Sequence, residues 1–186
     1  MMIISDARTI ENPLIGDQVR LIESCAESGG KHTWVEVLLA PKGGNDMHYH
    51  TSFSETFEVL EGTLGVDIEQ EKLQLRTGEI HTVMPGELHR FYNPSDTEAV
   101  RFTVKLTPGH IGFEHTLQVV YGLCRDGKVN RKGIPKNFYH LALIFTWGDT
   151  NIPGLLSYIT PLLKWVARRA GRKGIAQSLI DQYCHW

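Results

Sequence analysis

Up to about Gly109 apolar residues recur at every second position, and beyond it they recur at helical spacing. "TFEVLEGTLGVDIE" alternates with Gly62 at its centre, where a hairpin turn is expected. "KHTWVEVLLA" is rich in strand formers, and "KLQLRTGEIHTVMPGELHRFYNPSD" repeats the scheme between turns at Gly78, Pro85-Gly86 and Asn93-Pro94. In "AVRFTVKL", Phe102, Val104 and Leu106 fall on one face and Arg101, Thr103 and Lys105 on the other. Many short strands divided by Gly and Pro turns predict a β-sandwich or barrel. After Gly109 the residues Leu155, Leu156, Ile159, Leu162, Leu163 and Val166 follow the helical period. Pro135 can open one helix that Gly148 closes, and Asn151 and Pro153 mark another start. Pro161 either kinks the last apolar run or follows a cap at Thr160. The pattern divides the chain into a β unit over residues 1–109 and a helical extension over 110–186. The extension is too small and too apolar to stand apart from the barrel.

The same parity places candidate chemistry. In a strand, residues two apart project to one side, about 6.6 Å apart along the chain, so His48 and His50 can converge on one ion. Glu55 shares its parity with Phe57 and Val59, and His89 shares its parity with Phe91. A carboxylate on a core face is costly unless it is paired or bound to a metal. Three imidazoles and one carboxylate could then meet inside an apolar barrel. The competing interpretation is a vestigial set satisfied by hydrogen bonds or water, which makes less sense of four such groups on core-facing positions.

Two stretches carry a family resemblance. "HYHTSFSETFEVLEG" resembles the first motif of the cupin superfamily: HxH, a glutamate after four intervening residues, and a glycine after six more. "GEIHTVMPGELHRFYN" resembles the second: a glycine, a PxG turn, a histidine and an asparagine. Met84 stands where the family usually has proline, and Pro85 takes the next position, leaving Gly86, His89 and Asn93 in register. The match spans about residues 43–93, and flanking strands extend it to roughly 18–107. The resemblance implies a mainly β chain, a double-stranded β-helix (jelly-roll) barrel, here followed by the α-helical extension. It also implies the ligand set His48, His50, Glu55 and His89, with Glu55 able to act as a base when it detaches. Mixed N and O donors suit one divalent transition metal ion per chain, Fe, Mn, Ni, Zn or Cu alike. Within the family such sites serve oxygenases and sugar-type isomerases. The aromatic residues Phe57, Phe91, Tyr92 and Phe102 lean toward a dioxygenase-like oxidoreductase acting on a small, apolar or aromatic molecule, although such residues also serve as plain core. A non-catalytic small-molecule-binding cupin and a storage or structural cupin are the other expectations.

Composition narrows the rest. A 41% hydrophobic and 22% charged chain is ordinary for a globular protein, and a net charge of -2 gives no reason to expect nucleic acid. No apolar run reaches membrane-spanning length, and the start lacks the features of a signal peptide. Cys25, Cys124 and Cys184 are far apart and form no CxxC pair, which fits reduced thiols in the cytoplasm. A homodimer is expected, with "MMIISDARTIENPL" or the outer sheet at the contact. His81 is either an exposed strand residue or an accessory ligand, and Asn93 is expected to shape the turn before Pro94. His110, His115 and His140 lie outside both motifs, with His140 in a helical stretch that can reach the barrel mouth. The tail is basic: Lys164, Arg168, Arg169, Arg172 and Lys173 stand against Asp181 alone. A solvated helix face accounts for that run most simply, with an acidic partner or surface as the other interpretation.

Overall fold

The structure is a computed structural model describing residues 7–186, without the side chains of 155–157. Residues 1–6 of the expected dimer segment, and Leu155 and Leu156 of the apolar repeat, therefore lie outside the described residues.

Among the described residues nine strands come first: β1 (Thr9–Asn12), β2 (Asp17–Glu23), β3 (Thr33–Leu39), β4 (Ser54–Glu61), β5 (Thr63–Ile68), β6 (Glu71–Arg76), β7 (Ile80–Val83), β8 (His89–Tyr92) and β9 (Val100–Thr107). They form a six-stranded sheet in the order β1-β2-β3-β9-β4-β7 and a three-stranded sheet in the order β6-β5-β8, with antiparallel pairs throughout. Alternation delivers the core as the sequence predicts. Glu55, Phe57 and Val59 of β4 and Phe102, Val104 and Leu106 of β9 are all buried. Phe57 and Phe102 are fully buried, and their rings pack against each other and against the partly buried ring of Phe91.

Gly62 is not a hairpin turn. β4 pairs with β7 and β9, whereas β5 pairs with β6 and β8, so the chain changes sheets at this residue. A register shift between Val59 and Glu61 bends β4 just before the corner, and Gly62 takes φ +88, a conformation side chains resist.

Four helices follow: α1 (Ile111–Arg125), α2 (Phe138–Trp147), α3 (Thr160–Arg172) and α4 (Ile175–Tyr183). His110 caps α1, its Nδ1 accepting the Phe113 N–H at 3.0 Å, which gives this histidine a structural role. Asn137, not Pro135, opens α2, and Gly148 closes it. Pro161 sits in the first turn of α3, where its missing N–H costs nothing. α1 joins the two halves. Phe113, Leu117, Val120 and Tyr121 pack on the barrel core, while Val119, Leu123 and Cys124 belong to a second cluster with α2, α3 and α4. Buried Glu114 ties α1 to the barrel, Oε1 accepting from Cys25 N and Thr33 Oγ1, each at 2.6 Å. Gly112 lets the start of α1 meet the end of α2, because a Cβ there would lie 2.4 Å from the Trp147 carbonyl oxygen. That approach brings the residues following α2 over the barrel. No helix among the described residues is long and apolar enough to cross a membrane.

Tyr121 also donates a hydrogen bond to buried Asp17, whose other oxygen has no partner among the described residues. Burial pushes the Asp17 carboxyl up to about 6, only partly offset by the Tyr121 hydroxyl. The folded-state value lies above the unfolded one, so this stabilisation is fully present below about pH 4 and is lost as pH rises through about 6. Between pH 4 and pH 7 wild type should therefore lose about 2–3 kcal/mol that Asp17→Asn does not lose. Paired urea melts at the two pH values check it, and parallel pH profiles for the two proteins would refute it.

Candidate metal centre

His48 and His50 do not sit on a regular strand. They occupy the stretch before β4, held by isolated bridges of His48 to His89 and of Tyr49 to Asn151. The backbones of His48 and His89 exchange hydrogen bonds of 2.9 and 2.8 Å, which brings the first motif against the start of β8. The rings of His48 lie 4.8 Å from His50 and 4.5 Å from His89. Glu55 enters from β4 on its buried face. The resulting cluster of His48, His50, Glu55 and His89 offers one donor atom per residue, all within 4.8 Å of one another. His50, Glu55 and His89 are each at most 5% exposed.

The backbone settles which nitrogen each histidine turns inward. Nδ1 of His48 meets the Asp46 carbonyl at 2.9 Å, and Nδ1 of His89 meets the Glu87 carbonyl at 2.9 Å. Nδ1 of His50 meets two carbonyls, Gly148 and Asp149, each at 3.1 Å. A carbonyl only accepts, so each Nδ1 carries a proton and donates it; the charged ring of His89 carries a second proton on Nε2 toward Glu55, and in its neutral form each ring turns an Nε2 lone pair inward. Among the described residues, buried His50 Nε2 has no hydrogen-bond partner and lies 4.0 Å from Glu55 Oε1. A buried acceptor with no donor is costly, and a cation placed among these atoms removes the cost. The residues therefore fit a metal ion.

Electrostatics follow from crowding. Burial pushes the His48 ring down to about 4, against the pull of Glu55. Burial opposes ionisation of Glu55, but the 2.9 Å hydrogen bond with His89 and the charges of the three histidines outweigh it and hold the carboxyl below its ordinary range. His89 moves upward: burial lowers it, and the Glu55 hydrogen bond and charge more than compensate. Phe53 stacks on His50 with centroids 4.4 Å apart, and Phe113 of α1 stands 5.8 Å from Phe53, so an aromatic wall borders the His50 side.

Several residues absent from the sequence reading complete the site. Asp149, in the left-handed conformation at φ 47, carries one of the two carbonyls on His50. Its carboxylate accepts the backbone N–H of Thr51 at 2.6 Å and of Ser52 at 2.8 Å, together with the hydroxyls of both residues. Asn151 adds a backbone exchange with Tyr49. Residues 148–151 thus form a strap that fastens the helical half over the first motif. The sequence signal for it is faint: an aspartate after a helix-ending glycine, where a residue tolerant of positive φ is wanted.

The remaining candidates fall elsewhere. His81 pairs across from Phe57 on β7 and is not part of the cluster. His115 packs against Trp147, and His140 stands near Lys128 among the helices, away from the cluster. Asn93 does more than shape a turn. Buried at 3% exposure, it donates through Nδ2 to the carbonyls of Leu39, Ala40 and Glu98, and its Oδ1 accepts the Ser95 N–H.

Residues 35–106 match the family model described as a cupin domain, and this range contains all four clustered residues. The barrel and its site thus define a protein built on a cupin domain. The matched range, which runs from β3 to β9, is a cupin domain. No curated protein matches. Among solved structures, the chain is similar to a predicted oxalate decarboxylase from Thermotoga maritima at 16% identity and TM-score 0.49, covering 57% of this chain and 99% of that one. It is also similar to KdgF from Halomonas sp. (16% identity, 50% of this chain, 78% of that one, TM-score 0.44). An RmlC-like cupin from Shewanella frigidimarina aligns at 18% identity over 54% of this chain and 83% of that one, with TM-score 0.45.

Proposed function

We propose that His48, His50, Glu55 and His89 hold one divalent transition metal ion, and that the centre supports dioxygenase-type chemistry on a small, apolar or aromatic molecule. One observation carries the metal assignment. Three Nε2 atoms and a carboxylate converge while every Nδ1 is committed to a backbone carbonyl. When bound, such an ion supplies Lewis-acid polarisation and, if redox-active, oxygen chemistry. The chain's own contribution is orientation and charge. Glu55 is the sole anion of the set, so a divalent ion keeps net positive charge toward an incoming ligand. Phe53 and Phe113 keep water from the His50 side, and the aromatic wall is what favours an apolar substrate. Glu55 Oε2, 2.9 Å from His89 Nε2, is placed to take a proton if its bond to the ion opens.

Elemental analysis of the native protein, run with oxygen-uptake assays on a panel of small aromatic compounds, tests this proposal. Iron, manganese, nickel or copper with substrate-dependent uptake is the expected result. Zinc without uptake would remove the dioxygenase part, and metal-free native protein would remove the assignment altogether.

The proposal includes a cytoplasmic homodimer. It is consistent with three free thiols and with the edge of the larger sheet, where Ile80 is 60% exposed and Met84, just beyond β7, is 55% exposed. Sedimentation at micromolar concentration should give a dimer that Ile80→Glu dissociates; a wild-type monomer would rule the dimer out.

A further inference from the structure

The basic run of the tail remains unused by the metal centre, and its cations do not share one environment. Arg169 hydrogen-bonds Tyr139, and Lys173 stands over the Tyr139 ring at 5.4 Å. The side chains of Lys164 and Arg168 have no hydrogen bond or ion pair among the described residues. Both line a cavity of about 430 Å³ together with Tyr49, Asn151 and Thr160. Lys164 also stands at the edge of a neighbouring cleft of about 230 Å³ between α2 and α3, whose wall is mostly apolar: Leu141, Phe145, Ile152, Ile159 and Leu163. Ile159 is 42% exposed there. Lys164 lines both spaces and Arg168 the larger one, so two cations whose side chains lack a partner among the described residues stand at the mouth of an apolar cleft, which matches a small molecule with an anionic head and a short apolar body. None of the four clustered residues lines either space.

We propose that the α2–α3 cleft binds a small amphipathic carboxylate, with Lys164 and Arg168 holding the carboxylate and the apolar wall holding the hydrocarbon body. The site is separate from the metal centre and does not rest on the metal assignment. Its inner wall includes Asp149 and Asn151, the same residues that fasten the strap over His50, so the two sites share a partition.

The full chain as isolated is titrated calorimetrically with sodium octanoate, 1-hexanol and inorganic phosphate, and metal content is measured on the same samples. Octanoate should bind saturably at one per chain, with the neutral alcohol and the body-less phosphate each at least about tenfold weaker, as loss of one charge-assisted contact or of the apolar contact predicts. Lys164→Glu and Arg168→Glu, both on exposed positions of α3, should each weaken octanoate by about tenfold or more while leaving metal content unchanged. Leu141→Trp should block the cleft, and if that variant does not fold, the two charge reversals decide alone. The proposal is overturned if octanoate does not bind, if Lys164→Glu and Arg168→Glu bind it as wild type does, or if binding is lost in His89→Ala instead. That last result would put the carboxylate at the metal centre. Metal content tells these failures apart from a failure of the metal assignment.

Discussion

His50→Ala and Glu55→Ala will each lower metal affinity by more than about 100-fold, beyond the 10–100-fold range that loss of an outer hydrogen-bonding partner produces. Each change removes one of four converging donors in a buried place, and no further His, Cys, Asp or Glu among the described residues joins the cluster. Glu55→Ala additionally strips the only anion, leaving three imidazoles facing a dication. Glu55→Gln separates the two effects, because it keeps the volume and one oxygen while removing the charge. His110→Ala is the control. It loses a helix cap, worth about 1 kcal/mol, and should keep its metal. Competition against a coloured chelator measures all four. Wild-type affinity in His50→Ala and Glu55→Ala would show that the cluster is not the binding site.

The second large effect is expected far along the chain. Asp149→Ala deletes a carboxylate that accepts from two backbone amides and two hydroxyls, and places a β-carbon residue with little tolerance for left-handed backbone at φ 47. With bonds to a charged acceptor lost from a partly solvated position, stability should fall by about 2–3 kcal/mol. The strap also presents both carbonyls that orient His50, so metal affinity should fall by about 10–100-fold. Asp149→Gly tolerates the backbone conformation but lacks the carboxylate, and Asp149→Asn retains one acceptor oxygen and should recover part of both losses. The electronic spectrum of the cobalt-substituted protein gives a readout that plain destabilisation does not move. An unchanged cobalt spectrum in Asp149→Ala would mean that the strap holds the fold and not the histidine.

Much of the barrel was legible because its signals are local. The parity of Glu55 with Phe57 and Val59 marks the buried face of β4 directly, and His89 is held in register by Gly86 and Asn93. The fate of the chain at Gly62 was not legible. A two-residue period reads the same whether the next strand folds back on its neighbour or crosses to another sheet, and only the partners of β5 distinguish the two. The strap was hidden for a different reason. It acts on His50 through backbone carbonyls, which every residue has, from 98 and 99 positions away. The motifs also separated the histidines: His110, which caps a helix, and His115, which packs on tryptophan, lie outside both motifs and do not join the cluster.

The strap also sets a schedule. During synthesis all four donors have been made once His89 of β8 has appeared, yet the first carbonyl that aims His50, that of Gly148, comes 59 residues after His89. At typical elongation rates that gap lasts roughly 3–12 s. Throughout it the nascent barrel presents imidazoles whose geometry is still loose, open to whichever cation the surroundings supply. Discrimination among ions therefore falls to the last stage of maturation, when the helices dock and the final ring is fixed. Protein made under an excess of the wrong metal should carry that metal locked beneath the strap, exchanging only as fast as the strap unfastens.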